Sequence, residues 1–124
     1  MLIEIDLNPR TPIYLQIATG VRRAVADGRL GPGEALPAGR ELAHALGVNL
    51  DTVQRAYRLL AEEGLVVARV GRGTRIVDNV DPDEIDLRQH IAHLVTRAAA
   101  LGISTRQLAA MIRAIPESAV ADVS

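Results

Sequence analysis

Apolar residues along this chain recur at helical spacing, then gather in two short runs, then return to helical spacing. Ile13, Ile17, Val21 and Ala24 share one face of a first helix, which Thr11 can cap, Pro12 can open and Gly28 closes. Residues 28–37 are rich in Gly and Pro and read as a turn-rich connection. The spacing then predicts a short helix over Gly39–Leu46 with Leu42, Ala43 and Leu46 turned inward, and Gly47 breaks it. Asn49 can cap a third helix that runs to about Glu63, with Gly64 as its C-terminal stop. Residues 65–68 and 74–77 read as two strands, joined by the Gly-containing segment 69–73 in a hairpin.

Beyond Val77 the pattern changes. Residues 78–83 are polar, contain Pro82 and make the best boundary in the chain. A long helix is expected over 82–101, where Leu87, Ile91, Leu94, Ala98 and Leu101 recur at alternating steps of four and three, a heptad seam. Ser104 and Gln107 have the spacing of a capping box for a last helix bearing Leu108, Met111, Ile112 and Ile115, which Pro116 stops. The expected organisation is therefore a domain at 1–78, a two-helix arm at 82–116 and a frayed tail at 117–124.

The 124 residues are 48% hydrophobic, which excludes a disordered chain. No apolar run approaches the roughly 18 residues a membrane-spanning helix needs. The opening MLIEIDLNPR carries acids where a signal peptide has a basic stretch, and cysteine is absent, so the cytoplasm is the expected compartment. Tyr14 and Tyr57 are the only aromatic residues, too few for the stacking platforms of single-strand binders. The net charge of −1 looks wrong for a protein that binds nucleic acid, but the distribution is uneven. Up to Val77 ten Arg meet eight acids; beyond it four Arg meet seven acids.

Candidate chemistry centres on residues 39–58, GRELAHALGVNLDTVQRAYR. Two helices that cross steeply need a small residue at their contact and a left-handed residue in the turn, which Ala43 and Gly47 supply. Val48 then plugs the corner. On the third helix Val53, Ala56, Tyr57 and Leu60 share one face, while Asp51, Gln54, Arg55, Arg58 and Glu62 share the other. Amide and guanidinium groups on an exposed helix face can read base edges or hold phosphates in double-stranded DNA. Arg69, Arg72 and Arg75 lie on the following hairpin, where Gly71 and Gly73 let the backbone approach a groove. A mainly α fold with a small β-hairpin follows: a winged helix-turn-helix plus a C-terminal two-helix dimerisation arm. Arg40, Arg58 and Arg72 are the expected phosphate contacts, and Gln54 and Arg55 the expected base contacts.

The motifs Pro12-Ile13-Tyr14-Leu15-Gln16-Ile17, Gly28-Arg29-Leu30, Leu36-Pro37, Arg40-Glu41-Leu42-Ala43, Leu46-Gly47-Val48, Thr52-Val53, Glu63-Gly64-Leu65 and Gly71-Arg72-Gly73-Thr74 together resemble the GntR family DNA-binding domain. Asn49, the run Val53-Gln54-Arg55-Ala56-Tyr57 and the short C-terminal arm are similar to its YtrA subfamily. That resemblance implies a homodimer that represses genes, often those of ABC transporters. It carries DNA contacts onto Arg40, Asn49, Leu50, Asp51, Thr52, Gln54 and the wing at Val70-Gly71. The family usually has Arg where Leu50 stands, often Arg where Gln54 stands, and Ser followed by an acid where Ala38 and Gly39 stand. Readout by Leu50 can only be apolar, such as contact with a thymine methyl, and Asp51 suits a cytosine amine or the helix dipole.

The arm cannot bury its apolar faces alone and must either fold back on the wing domain or pair with a second copy. Pattern and resemblance together favour pairing, through Leu87, Ile91, Leu94, Ala98, Leu101, Leu108, Met111 and Ile112. It is too short to enclose an effector pocket of about 300 Å³, which leaves open whether a small molecule acts at the dimer interface or not at all. His90 and His93 lack a third ligand, and His44 reads as a passive surface residue. Asp81, Asp83, Glu84 and Asp86 complement the start of a helix. No metal or cofactor is expected. With no Lys for a Schiff base, no Cys nucleophile and no Ser–His triad setting, the chain is not read as an enzyme. The competing reading is a protein-interaction module on a winged-helix fold that does not bind DNA.

Overall fold

The computed structural model describes residues 3, 5 and 10–119. Its elements are α1 (Ile13–Ala26), α2 (Gly39–Leu46), α3 (Leu50–Glu62), β1 (Val66–Arg69), β2 (Gly73–Ile76), α4 (Pro82–Ala100) and α5 (Thr105–Arg113), then a 3-10 turn at Glu117–Ala119. Residues 120–124, part of the expected frayed tail, lie outside the described residues. By its contacts the chain divides into two units, Met1–Leu87 and Arg88–Ser124.

In the first unit α3 is the hub, with α1, α2 and β1 all packed on it. Ile17, Val21, Ala24 and Val25 of α1 meet Leu42 of α2 and Val53, Ala56 and Leu60 of α3 in one core, which Leu30, Leu36, Leu65, Val66 and Ile76 extend. Ile3 is also buried there. By contacts the first unit runs on through the polar segment 78–83. Val80 packs on the core and Ile85, one turn into α4, is 8% exposed, so the chain stays with the first unit as far as Leu87.

Local chemistry explains most boundaries, with some corrections. Pro12 stands at the N-cap of α1 rather than inside its first turn, and no side chain caps the helix. The Thr11 carbonyl accepts from the Gln16 side chain at 2.9 Å. Each strand sits one residue from its expected span. The Leu65 N–H closes the end of α3 on the Leu60 carbonyl, so pairing starts at Val66 opposite Ile76 and reaches Arg69 opposite Gly73. The connection after α1 is also more ordered than a turn. Ala35 bridges Arg75, the Leu36 N–H donates to the Thr74 carbonyl, and the Ile76 N–H donates to the Glu34 carbonyl. It thus adds a fragment of third strand to the hairpin. This is a winged helix-turn-helix.

In the second unit the remaining turns of α4 lead through Gly102 to α5. The Ile103 N–H donates to the Ala98 carbonyl at 2.8 Å. Ser104 and Gln107 form both bonds of the capping box, side chain to backbone in each direction. At the other end of α4, the Asp81 carboxylate accepts from the Asp83 N–H at 3.0 Å and caps the helix start. Of the five seam positions, Ala98 is already buried within the chain, whereas Leu87, Ile91, Leu94 and Leu101 are 43 to 75% exposed. Met111 and Ile112 on α5 are half exposed.

Candidate nucleic-acid interface

The turn between α2 and α3 sets the geometry. Gly47 takes φ 68°, ψ 35°, the left-handed conformation that L-residues adopt at a cost. The chain reverses there within two residues, and the Val48 N–H returns to the Ala43 carbonyl at 3.0 Å. Ala43 is buried and Val48 packs against the core. A larger side chain at 43 would push the helices apart.

On α3 the inward residues Val53, Ala56 and Leu60 are fully buried. Tyr57 is half buried, and its hydroxyl donates to the Pro37 carbonyl at 2.7 Å, tying α3 to the segment that leads into α2. Burial, and secondarily the Glu41 carboxylate, push the phenol pKa above its ordinary value, so Tyr57 remains a neutral donor. Arg22 of α1 forms an ion pair with Glu63 at the end of α3, its Nε donating to Oε2 at 2.9 Å. The recognition-type helix is therefore held along its inner face, through Tyr57, and at its C-terminal end.

Asp51, Gln54, Arg55, Arg58 and Glu62 are exposed on the outer face, as are Arg40 and Asn49, while Leu50 and Thr52 are half buried. Asn49 occupies the N-cap of α3 in extended conformation, yet its side chain makes no capping bond. Its carbonyl accepts from the Thr52 N–H instead. Arg55 does not stand straight off the helix: its guanidinium lies over the ring of Tyr14 on α1, 3.9 Å from the centroid. In the wing Arg69 and Arg72 are exposed, with Gly71 at the tip. Arg75 is turned away, donating to the Gly33 carbonyl at 3.1 Å, so it secures the wing to the third-strand fragment.

Gln54 and Arg58 of α3, Gly39 at the start of α2, and Arg72 and Thr74 of the hairpin line a shared groove of about 640 Å³. One wall is helix and the other is wing. Sequence reasoning named Gln54 and Arg58 from the helical wheel and Arg72 from the hairpin. It missed the floor, Leu36 and Pro37, and the stacking of Arg55 on Tyr14, because both depend on pairings distant along the chain. Among the described residues, no three His, Cys, Asp or Glu side chains gather to hold a metal ion, and no helix is long and apolar enough to cross a membrane.

Comparison with known proteins bears on what this groove meets. The sequence profile of the family described as "Bacterial regulatory proteins, gntR family" matches residues 13–76. The HTH-type transcriptional repressor YtrA of Bacillus subtilis is 32% identical, over 92% of this chain and 92% of its own length. The solved structure of YtrA from Sulfolobus acidocaldarius, a GntR-family transcription factor, superposes with a TM-score of 0.61 at 40% identity, covering 81% of this chain and 99% of the other. The DNA-binding domain of AraR, solved in complex with operator ORE1, superposes at a TM-score of 0.53 with 26% identity, over 61% of this chain and 95% of that one.

Proposed function

The chain belongs to the GntR family of bacterial regulatory proteins, and from that premise we propose that it acts as a homodimeric repressor on a palindromic operator. It is a transcriptional regulator with a DNA-binding domain, not an enzyme. The observation that carries the finer reading is the shared groove. Gln54 and Arg58 on α3 face Arg72 on the wing across a space open to solvent, with exposed Arg40 and Asn49 close by in sequence at the helix starts.

In this reading residues 1–78 form the DNA-binding domain and 82–116 the dimerisation arm. α3 enters the major groove, where Gln54 offers the paired donor and acceptor that suit adenine. Arg40, Arg58 and Arg72 hold phosphates, and Asn49, Asp51 and Thr52 line the entry of α3 with Gly71 at the wing tip. The exposed Leu87, Ile91 and Leu94 on α4 and Leu101 just past its end, with Leu108, Met111 and Ile112 on α5, meet a second copy, and two-fold symmetry then matches two half-sites. Similarity to a protein named a transcriptional repressor supports repression, and the resemblance to the YtrA group extends the reading to genes of ABC transporters. Such work places the chain in the cytoplasm.

Selection of duplexes from a random library by the purified protein, repeated at two salt concentrations, tests the reading. The expected result is a palindromic motif whose binding weakens steeply with salt, because each held phosphate releases counterions. A folded, dimeric protein that enriches no sequence and shows no salt dependence would favour the interaction-module reading instead.

A further inference from the structure

Gly39, which lines the groove, meets a residue that stands well apart from it in sequence. Gly39 is the first residue of α2 and Leu50 the first of α3. A Cβ placed on Gly39 would lie 3.0 Å from Leu50 Cδ1, closer than such contacts normally come. Leu50 therefore leans into the space that the missing side chain of Gly39 leaves. It is half buried, between exposed Asn49 and exposed Asp51, at the end of α3 that leads into the interface.

An apolar side chain held in this position has few uses. It lies outside the core, which Val53, Ala56 and Leu60 fill from α3, and is not among the half-buried residues packed on it. It can neither donate nor accept a hydrogen bond, and it cannot neutralise a phosphate. On the base edges of the major groove the thymine C5-methyl is the one apolar group, and cytosine lacks it. The seat on Gly39 also limits the rotamers open to Leu50, so little side-chain entropy remains to be lost on contact.

We infer that Gly39 and Leu50 form a methyl-reading pair that selects thymine at one position of each operator half-site. Gly39 is a positioning residue: it touches no base but sets where Leu50 stands. This inference rests on the proposed binding of duplex DNA.

The test uses the intact protein and a duplex recovered by selection, with each thymine replaced in turn by uracil, which differs only in the methyl group. Loss of one buried methyl is expected to weaken binding about fourfold per half-site at a single thymine position. Leu50→Ala should bind the thymine duplex as weakly as the wild type binds the uracil duplex, and should no longer distinguish the two. Gly39→Ala should reduce the distinction while leaving the thermal melting point unlowered, because alanine is a better helix former than glycine. Uniform tolerance of uracil by the wild type would overturn the inference while leaving DNA binding intact, and so would full uracil sensitivity retained in Leu50→Ala. Failure to enrich any duplex would remove the DNA-binding reading itself, and this inference with it.

Discussion

The Arg55 guanidinium lies over the Tyr14 ring, 3.9 Å from its centroid, and so joins the outer face of α3 to the first turn of α1. A stacked guanidinium keeps its in-plane N–H groups available, but their direction is fixed by the ring beneath. The stacking holds Arg55 against α1, and Arg55 is not among the residues that line the groove with Gln54. Arg55→Ala is accordingly expected to weaken binding to all duplexes by a similar factor and to lower the salt slope by about one, as for a lost phosphate contact. Relaxed specificity at one base position, with the slope unchanged, would assign Arg55 to base readout instead. Tyr14→Leu removes the platform and keeps the charge, so its salt slope should match the wild type.

Tyr57 gives a prediction with a definite sign in pH. Its hydroxyl donates to the Pro37 carbonyl, and burial followed by the Glu41 carboxylate raises its pKa in the folded state. A raised folded pKa means stability that is fully present below the unfolded value of about 10 and lost as pH rises past it, because the unfolded chain releases the proton first. Urea denaturation should show Tyr57→Phe destabilised by about 1 kcal/mol at neutral pH. Above pH 10 the wild type should lose up to about 1.4 kcal/mol per pH unit through this group, and the variant should not. Parallel stability curves for the two proteins up to the alkaline limit would contradict the assignment.

Elements that depend on local pattern were legible in the sequence. The α2 helix falls over Gly39–Leu46 as its spacing predicts, and the Ser104–Gln107 capping box forms both of its bonds. Gly47 takes the left-handed turn. What escaped is long-range or competitive. The bridge from Ala35 to Arg75 joins residues forty positions apart, and no periodicity within residues 28–37 could announce it. Asn49 has the composition of a capping residue and the cap position, yet not the cap bond, because side-chain preference is only a bias that the surroundings can override. The outer face of α3 was legible from the wheel, whereas the sideways stacking of Arg55 and the seating of Leu50 on Gly39 required the other helices to be in place.

Two glycines of the helix-turn-helix separate backbone strain from side-chain space. Around Gly47 an added Cβ would meet nothing within 4 Å, but its φ is +68°. Gly47→Ala should therefore cost about 1–2 kcal/mol through strain alone. Its DNA affinity, measured well below the melting point, should be nearly unchanged. Gly39 has the opposite character, an ordinary helical backbone with Leu50 in the way. Gly39→Ala should leave stability unlowered and alter binding. Equal effects of the two substitutions on melting temperature would show that the turn does not constrain residue 47 as its φ implies.

The exposed seam on α4 gives the prediction on which the assembly depends. Leu87, Ile91 and Leu94 are 58, 47 and 43% exposed within one chain, spaced as successive contacts of a two-helix seam. Met111 and Ile112 add apolar surface on α5. A stable interface removes upward of about 1,000 Å² of surface from water, and a hydrophobic stripe of this length left in solvent favours association. Sedimentation equilibrium should thus find the wild type as a dimer at micromolar concentration. Leu87→Asp combined with Leu94→Asp places charges in the seam, and each unpaired charge costs far more to bury than the leucine it replaces. The double variant should sediment as a monomer with an unaltered far-ultraviolet spectrum. It should bind a full operator no more tightly than a single half-site, since the gain from linking two recognition helices is lost. A wild type that remains monomeric at high concentration, or a double variant that still dimerises, would remove these residues from the interface.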